Sequence, residues 1–81
     1  MDGKIVGLVI RRYRKEKKMS QELISGFAGL DRTHYSKIER GLRLPTLDTL
    51  FKIAAALEVP PDKLVGAIDE ELQKNQKDPL V

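Results

Sequence analysis

Apolar positions recur at helical spacing along most of this chain, and alternation of the kind a strand needs never lasts more than a few residues. Turn and cap residues cut the pattern into five short helices. The first is predicted from about Lys4 to Lys17. Val6, Ile10 and Tyr13 fall at i, i+4 and i+7, Ile5 and Val9 widen the stripe, and Lys17 and Lys18 suit the C-terminal dipole. Ser20 is an N-cap type, which opens a second helix at Gln21 with Glu22 in its first turn. Ile24 and Ala28 are its inward pair, and Gly29 follows where a helix end needs positive φ. Asp31 caps a third helix over about Arg32 to Arg40, with Tyr35 and Ile38 inward and Gly41 after it.

Leu44-Pro45 cannot continue that helix, and Thr46 caps the next. Leu47, Leu50, Ile53, Ala54 and Leu57 give this fourth helix the strongest apolar face of the chain. Pro60-Pro61 ends it and starts a fifth, with Asp62 in the first turn and Leu64, Ile68 and Leu72 at i, i+4, i+8. Gly66 is a point where this segment can bend or split. From about Asn75 the chain turns polar, so the expected division is a domain over 1–74 and a flexible tail over 75–81.

Length changes the picture only by limiting it: 81 residues suffice for one domain with a small core. Hydrophobic residues at 41% and charged residues at 33% are globular values, not those of a disordered chain. With no Cys, disulfides and thiolate chemistry are excluded. No apolar run approaches the roughly 20 residues of a bilayer span, and no small-residue cleavage site follows the N-terminal apolar stretch. A cytoplasmic protein is therefore expected. Residues 1–43 hold 11 Lys and Arg against 5 Asp and Glu, whereas residues 44–81 hold 4 against 7. The basic half suits a polyanion, although solvated helix faces explain the same balance.

The outward side of the third helix tips that balance. Arg32, Thr33, Ser36, Lys37 and Arg40 lie off the Tyr35/Ile38 face and include no Leu, Ile or Val. Arg and Lys donate to guanine O6 and N7, and Thr offers a hydroxyl and a methyl for thymine. The link Ala28-Gly29-Leu30-Asp31 is short enough to set the second and third helices at a steep angle. Ser20-Gln21-Glu22, Leu30-Asp31-Arg32-Thr33 and Ile38-Glu39-Arg40-Gly41, followed by Pro45 and Thr46, together resemble the Cro/repressor-type (Xre) helix-turn-helix family. The run from Gly29 to Gly41 is especially similar to the controller regulators of restriction–modification systems within it.

The resemblance implies an all-α, compact five-helix, lambda-repressor-like DNA-binding domain with its helix-turn-helix at helices two and three. It implies base reading by Arg32, Thr33, Ser36 and Lys37. Contacts to phosphate or sugar fall to Gln21, His34, Arg40 and Arg43, and an ion pair of Arg14 with Glu39 is structural. Two departures stand out: Ser25 where the family commonly has Ala, and Gly26-Phe27 in place of two good helix formers. Gly26 costs the second helix up to about 1 kcal/mol, and Phe27 fits either the core or the surface.

The remaining candidates are fewer. His34 is the single histidine, so a metal site or a catalytic dyad has no second partner there. The run Arg11, Arg12, Arg14, Lys15, Lys17, Lys18 reads mainly as a solvated face. Phe51, Val65 and Ile68 are assigned to a dimer face, with peripheral core packing the alternative for Phe51 and Val65, since one short helix reads only a few base pairs and two half-sites are needed for discrimination. The expected function is a homodimeric, sequence-specific transcriptional regulator on a pseudo-palindromic operator, with double-stranded DNA and itself as partners. No cofactor, metal, membrane or small-molecule ligand is expected. A protein-interaction module of antitoxin or coactivator type is the alternative. An enzyme is excluded for want of a phosphate-binding glycine loop, a cysteine nucleophile, a metal cluster or a histidine pair.

Overall fold

The computed structural model describes residues 1–76. Five helices follow one another: α1 (Gly3–Glu16), α2 (Gln21–Ala28), α3 (Arg32–Glu39), α4 (Leu47–Ala56) and α5 (Pro61–Lys74). Four begin on a side-chain cap. Asp2, Ser20, Asp31 and Thr46 accept from the backbone N–H groups of Lys4, Leu23, His34 and Thr49 at 2.9–3.2 Å. The fifth relies on Pro61, which has no N–H to satisfy. The Asp2 cap moves the start of α1 one residue ahead of the sequence expectation.

Four helices also end alike. The N–H groups of Met19, Leu30, Leu42 and Val59 return to the carbonyls of Arg14, Ser25, Lys37 and Ala54 at 2.9–3.1 Å. Each closure puts the preceding residue in the left-handed region: Lys18 (φ 57°), Gly29 (67°), Gly41 (79°) and Glu58 (56°). The two glycines meet that demand without a Cβ, and Lys18 and Glu58 meet it at a steric cost.

α1 packs on α3 and α5, α2 on α3 and α4, and α4 on α5. Val9, Ile10, Ile24, Tyr35, Ile38, Ile53, Leu57 and Leu64 are all sealed at the centre. Three expectations need correction. Ile68 belongs to this same core, because it shares a stripe with Leu64 and cannot also face a partner. Leu47 is exposed, since burial on α4 begins only at Thr49. α5 runs unbroken through Gly66, where a Cβ would meet open space and nothing forces a bend. Of the expected tail, Asn75 and Gln76 follow the end of α5, and residues 77–81 lie outside the described part.

The seam between α1 and α3 is unusually tight. A Cβ on Gly7 would sit 2.3 Å from the Glu39 carbonyl oxygen and 2.6 Å from that of Ile38. A Cβ on Gly3 would come within 2.9 Å of the Gly41 oxygen. Two backbones thus meet with no side chain between them, and this fixes where α3 ends.

Candidate nucleic-acid interface

The geometry of α3 follows from its two faces. Tyr35 and Ile38 are fully buried, which anchors one side in the core. On the other side of the helix, Arg32, Thr33, Lys37 and Arg40 are exposed and Ser36 is half-buried. Arg32, Thr33, Ser36 and Arg40 join Gln21 of α2 around a shallow concavity of about 280 Å³. The other sequence-predicted residues lie outside it: His34 is half-buried, and Lys37 and Arg43 are exposed. The two apolar candidates on α4 and α5, Phe51 and Val65, are about half exposed and do not line this concavity.

Beneath the concavity lies a charge network. The Arg14 guanidinium grips Glu39 with two bonds, Nε to Oε2 at 2.9 Å and Nη2 to Oε1 at 2.7 Å. Its Nη1 donates to the Met19 carbonyl at 2.8 Å. Gln21 Nε2 donates to Glu39 Oε1 at 3.2 Å, and the Tyr35 hydroxyl donates to Oε2 at 2.5 Å. One carboxylate therefore ties together α1, α2 and α3. Burial by itself pushes Glu39 toward the neutral form, but the hydrogen bonds from Arg14, Tyr35 and Gln21 outweigh it and hold its pKa below the usual value. The bond to Glu39 raises the Arg14 pKa against the opposing effect of burial. Burial and the same carboxylate push the Tyr35 phenol far up, so it stays a donor.

Sequence reasoning missed two contributors. The sequence pattern places Tyr35 on an apolar face without a role for its hydroxyl, although its i, i+4 spacing to Glu39 is the available signal. Gly7, inside an otherwise good helix, was the mark of a close backbone approach. Ser25, by contrast, is buried with its hydroxyl satisfied by the Glu22 carbonyl at 3.1 Å, so it keeps the close helix approach without an orphaned donor.

Two short helices joined by a tight glycine turn, with the second locked on one side and polar on the other, define a helix-turn-helix domain. A family model described as Helix-turn-helix matches residues 10–64. An uncharacterized HTH-type transcriptional regulator of Sinorhizobium fredii is 40% identical over 67 residues, which cover 83% of this chain and 87% of that protein. The control protein C.MunI of a Mycoplasma species is 41% identical over 66 residues, covering 80% and 89%. Among solved structures, the wild-type restriction–modification controller protein C.Esp1396I superposes with a TM-score of 0.82 at 36% identity, over 90% of this chain and 95% of that one. The same controller bound to a 19 base pair DNA duplex superposes with a TM-score of 0.79 at 36% identity, over 86% and 93%. The chain belongs to the Cro/repressor-type (Xre) helix-turn-helix family of transcriptional regulators, which is not a family of enzymes. Among the described residues, no helix is long and apolar enough to cross a membrane.

Proposed function

We propose that this regulator acts in the cytoplasm as a homodimer on a pseudo-palindromic operator, with α3 of each protomer in the major groove. The observation that carries the reading is the division of α3: Tyr35 and Ile38 are spent on the core, and the opposite side is a row of donors with nothing packed on it. Arg32, Thr33, Ser36 and Lys37 then read base edges. Gln21, His34, Arg40 and Arg43 hold the sugar–phosphate backbone and set the register. Gln21 suits that role because one amide N–H braces Glu39 and the second remains for a phosphate. The structure of C.Esp1396I on a DNA duplex supports the same use of this fold.

Dimerisation rests on energetics and on surface. Each good base contact supplies only about 1–3 kcal/mol of discrimination, so one helix cannot select a site in a genome. Phe51 and Leu47 lie one turn apart on α4, both exposed, and Val65 is half-exposed on α5. These apolar side chains are the candidates for the symmetric contact, with Ile68 now removed from it.

Fluorescence anisotropy on a site selected from random duplexes tests the reading. Of the four phosphate-contacting residues in each protomer only Arg40 and Arg43 are cationic, so the logarithm of affinity should fall with that of salt at a slope of about −4. Arg32→Ala and Lys37→Ala should each cost about 1–3 kcal/mol and relax preference at particular bases. Arg43→Ala should weaken all sites evenly. A slope near zero would point instead to a module that grips protein.

A further inference from the structure

α2 is apolar on two sides. Ile24 and Ala28 fill the core, yet Leu23 and Phe27, also one turn apart, face outward at 46% and 69% exposure. A helix apolar all round is normally covered on all sides. Phe27 stands as a ridge between two hollows, one lined by Ser20, Glu22, Leu23 and Gly26, the other by Ala55, Ala56 and Glu58 of the α4 end. Gly26 sharpens the point. It costs α2 helical stability, has an ordinary backbone conformation, and a Cβ there would touch nothing within 4 Å of its own fold. No contact within the protomer calls for that glycine, whereas an approaching backbone would.

The charged residues lining these two hollows are Glu22 and Glu58, so the patch is acidic and a poor surface for DNA. A complementary face exists on the same molecule. On α1, Leu8 is 48% exposed and sits with Arg11, Arg12, Lys15 and Glu16 around a hollow of about 380 Å³. Arg12 is already engaged with Glu71 at 3.2 Å, which leaves Arg11 and Lys15 to answer the two glutamates. Leu8, Arg11 and Lys15 share one side of α1 at i, i+3, i+7. Within the protomer the Phe27 hollows and the Leu8 hollow share no lining residue, and α1 and α2 are not among its major packed pairs, so the two faces are open to a second copy.

We infer that the Phe27 ridge of one copy seats in the Leu8 hollow of a second copy, a head-to-tail contact separate from the symmetric dimer face. Such a contact uses a different patch on each copy, so it runs from copy to copy into a ring or an open filament and does not end at a symmetric pair. Its small area makes it weak in dilute solution, and salt weakens it further through Glu22, Glu58, Arg11 and Lys15. It does not depend on the DNA reading, because it is measured on protein alone.

The chain has no cysteine, which allows a direct test. Glu16→Cys and Ala55→Cys place one thiol at the rim of each face on separate proteins, which are mixed at equal amounts and oxidised gently. The expected product is a 16–55 cross-link in excess over 16–16 and 55–55. Adding Phe27→Ser to the Ala55→Cys protein should reduce that excess about tenfold, the worth of one buried apolar anchor. Gly26→Ala should raise the melting temperature and yet lower the cross-link, a pair of effects no folding defect produces. Statistical yields of the three products would overturn the inference. So would a dominant 55–55 product, which would show the Phe27 patch pairing with its own symmetry mate.

Discussion

Replacing Arg14 by Met tests the network beneath the candidate interface. Met approximates the length and volume of the arginine stem, so packing is largely kept. Three charge-assisted bonds are lost: two to Glu39 and one to the Met19 carbonyl. Glu39 is only 8% exposed and retains Tyr35 and Gln21 as donors. Breaking a buried pair by removing one partner costs about 3–5 kcal/mol, and the two surviving donors place the expected loss near the lower end. An 81-residue domain has about 4–12 kcal/mol in total, so the variant should be visibly marginal in urea unfolding followed by circular dichroism. The pH dependence is the sharper readout. In the native chain the Glu39 pKa is lowered, so its contribution is present above the unfolded value and is lost as pH falls through the folded one. Without Arg14, burial dominates and the same pKa rises. Protonation then favours the folded variant, and the gap between the two proteins should narrow from about pH 7 to pH 4. A deficit below about 1 kcal/mol, or one that stays constant across that range, would refute the claim that this carboxylate is held charged by Arg14.

Gly7→Ala should destabilise by about 3 kcal/mol or more, because its Cβ would meet two backbone carbonyls that cannot rotate away; thermal melts check this, and a neutral effect would mean the seam opens easily. Glu58→Gly should stabilise by about 0.5–1 kcal/mol by removing a Cβ from a left-handed residue, read as a higher urea midpoint with unchanged slope. Tyr35→Phe should cost about 1–3 kcal/mol, since it leaves a buried Glu39 oxygen with one donor fewer, and it should move the acid unfolding midpoint upward.

The sequence spoke most clearly where the rule is local. Ser20, Asp31 and Thr46 cap within three residues of themselves, so their helices could be placed without knowing any neighbour. Gly29 and Gly41 marked helix ends for the same reason. Lys18 and Glu58 end helices in the same conformation but carry no local sign of it, because packing imposes the turn on residues that do not favour it. Ile68, expected on a dimer face, lies in the core, and its spacing from Leu64 is the sign of that in the sequence. The concavity needed the fold itself: Gln21 reaches Arg32, Thr33, Ser36 and Arg40 only because the turn at Gly29 folds α2 back beside α3.

The glycine seam between α1 and α3 limits how this domain acquires new preferences. Where side chains separate two helices, exchanging a large residue for a small one lets the pair tilt or slide by fractions of an ångström. At Gly3 and Gly7 no such spacer exists, and the end of α3 rests on bare main chain. Relatives built on this frame would therefore diverge by exchanging outward residues such as Arg32 and Lys37 on a helix of fixed pose. For redesign, the outward set is the dial and the seam is the bearing that keeps it true.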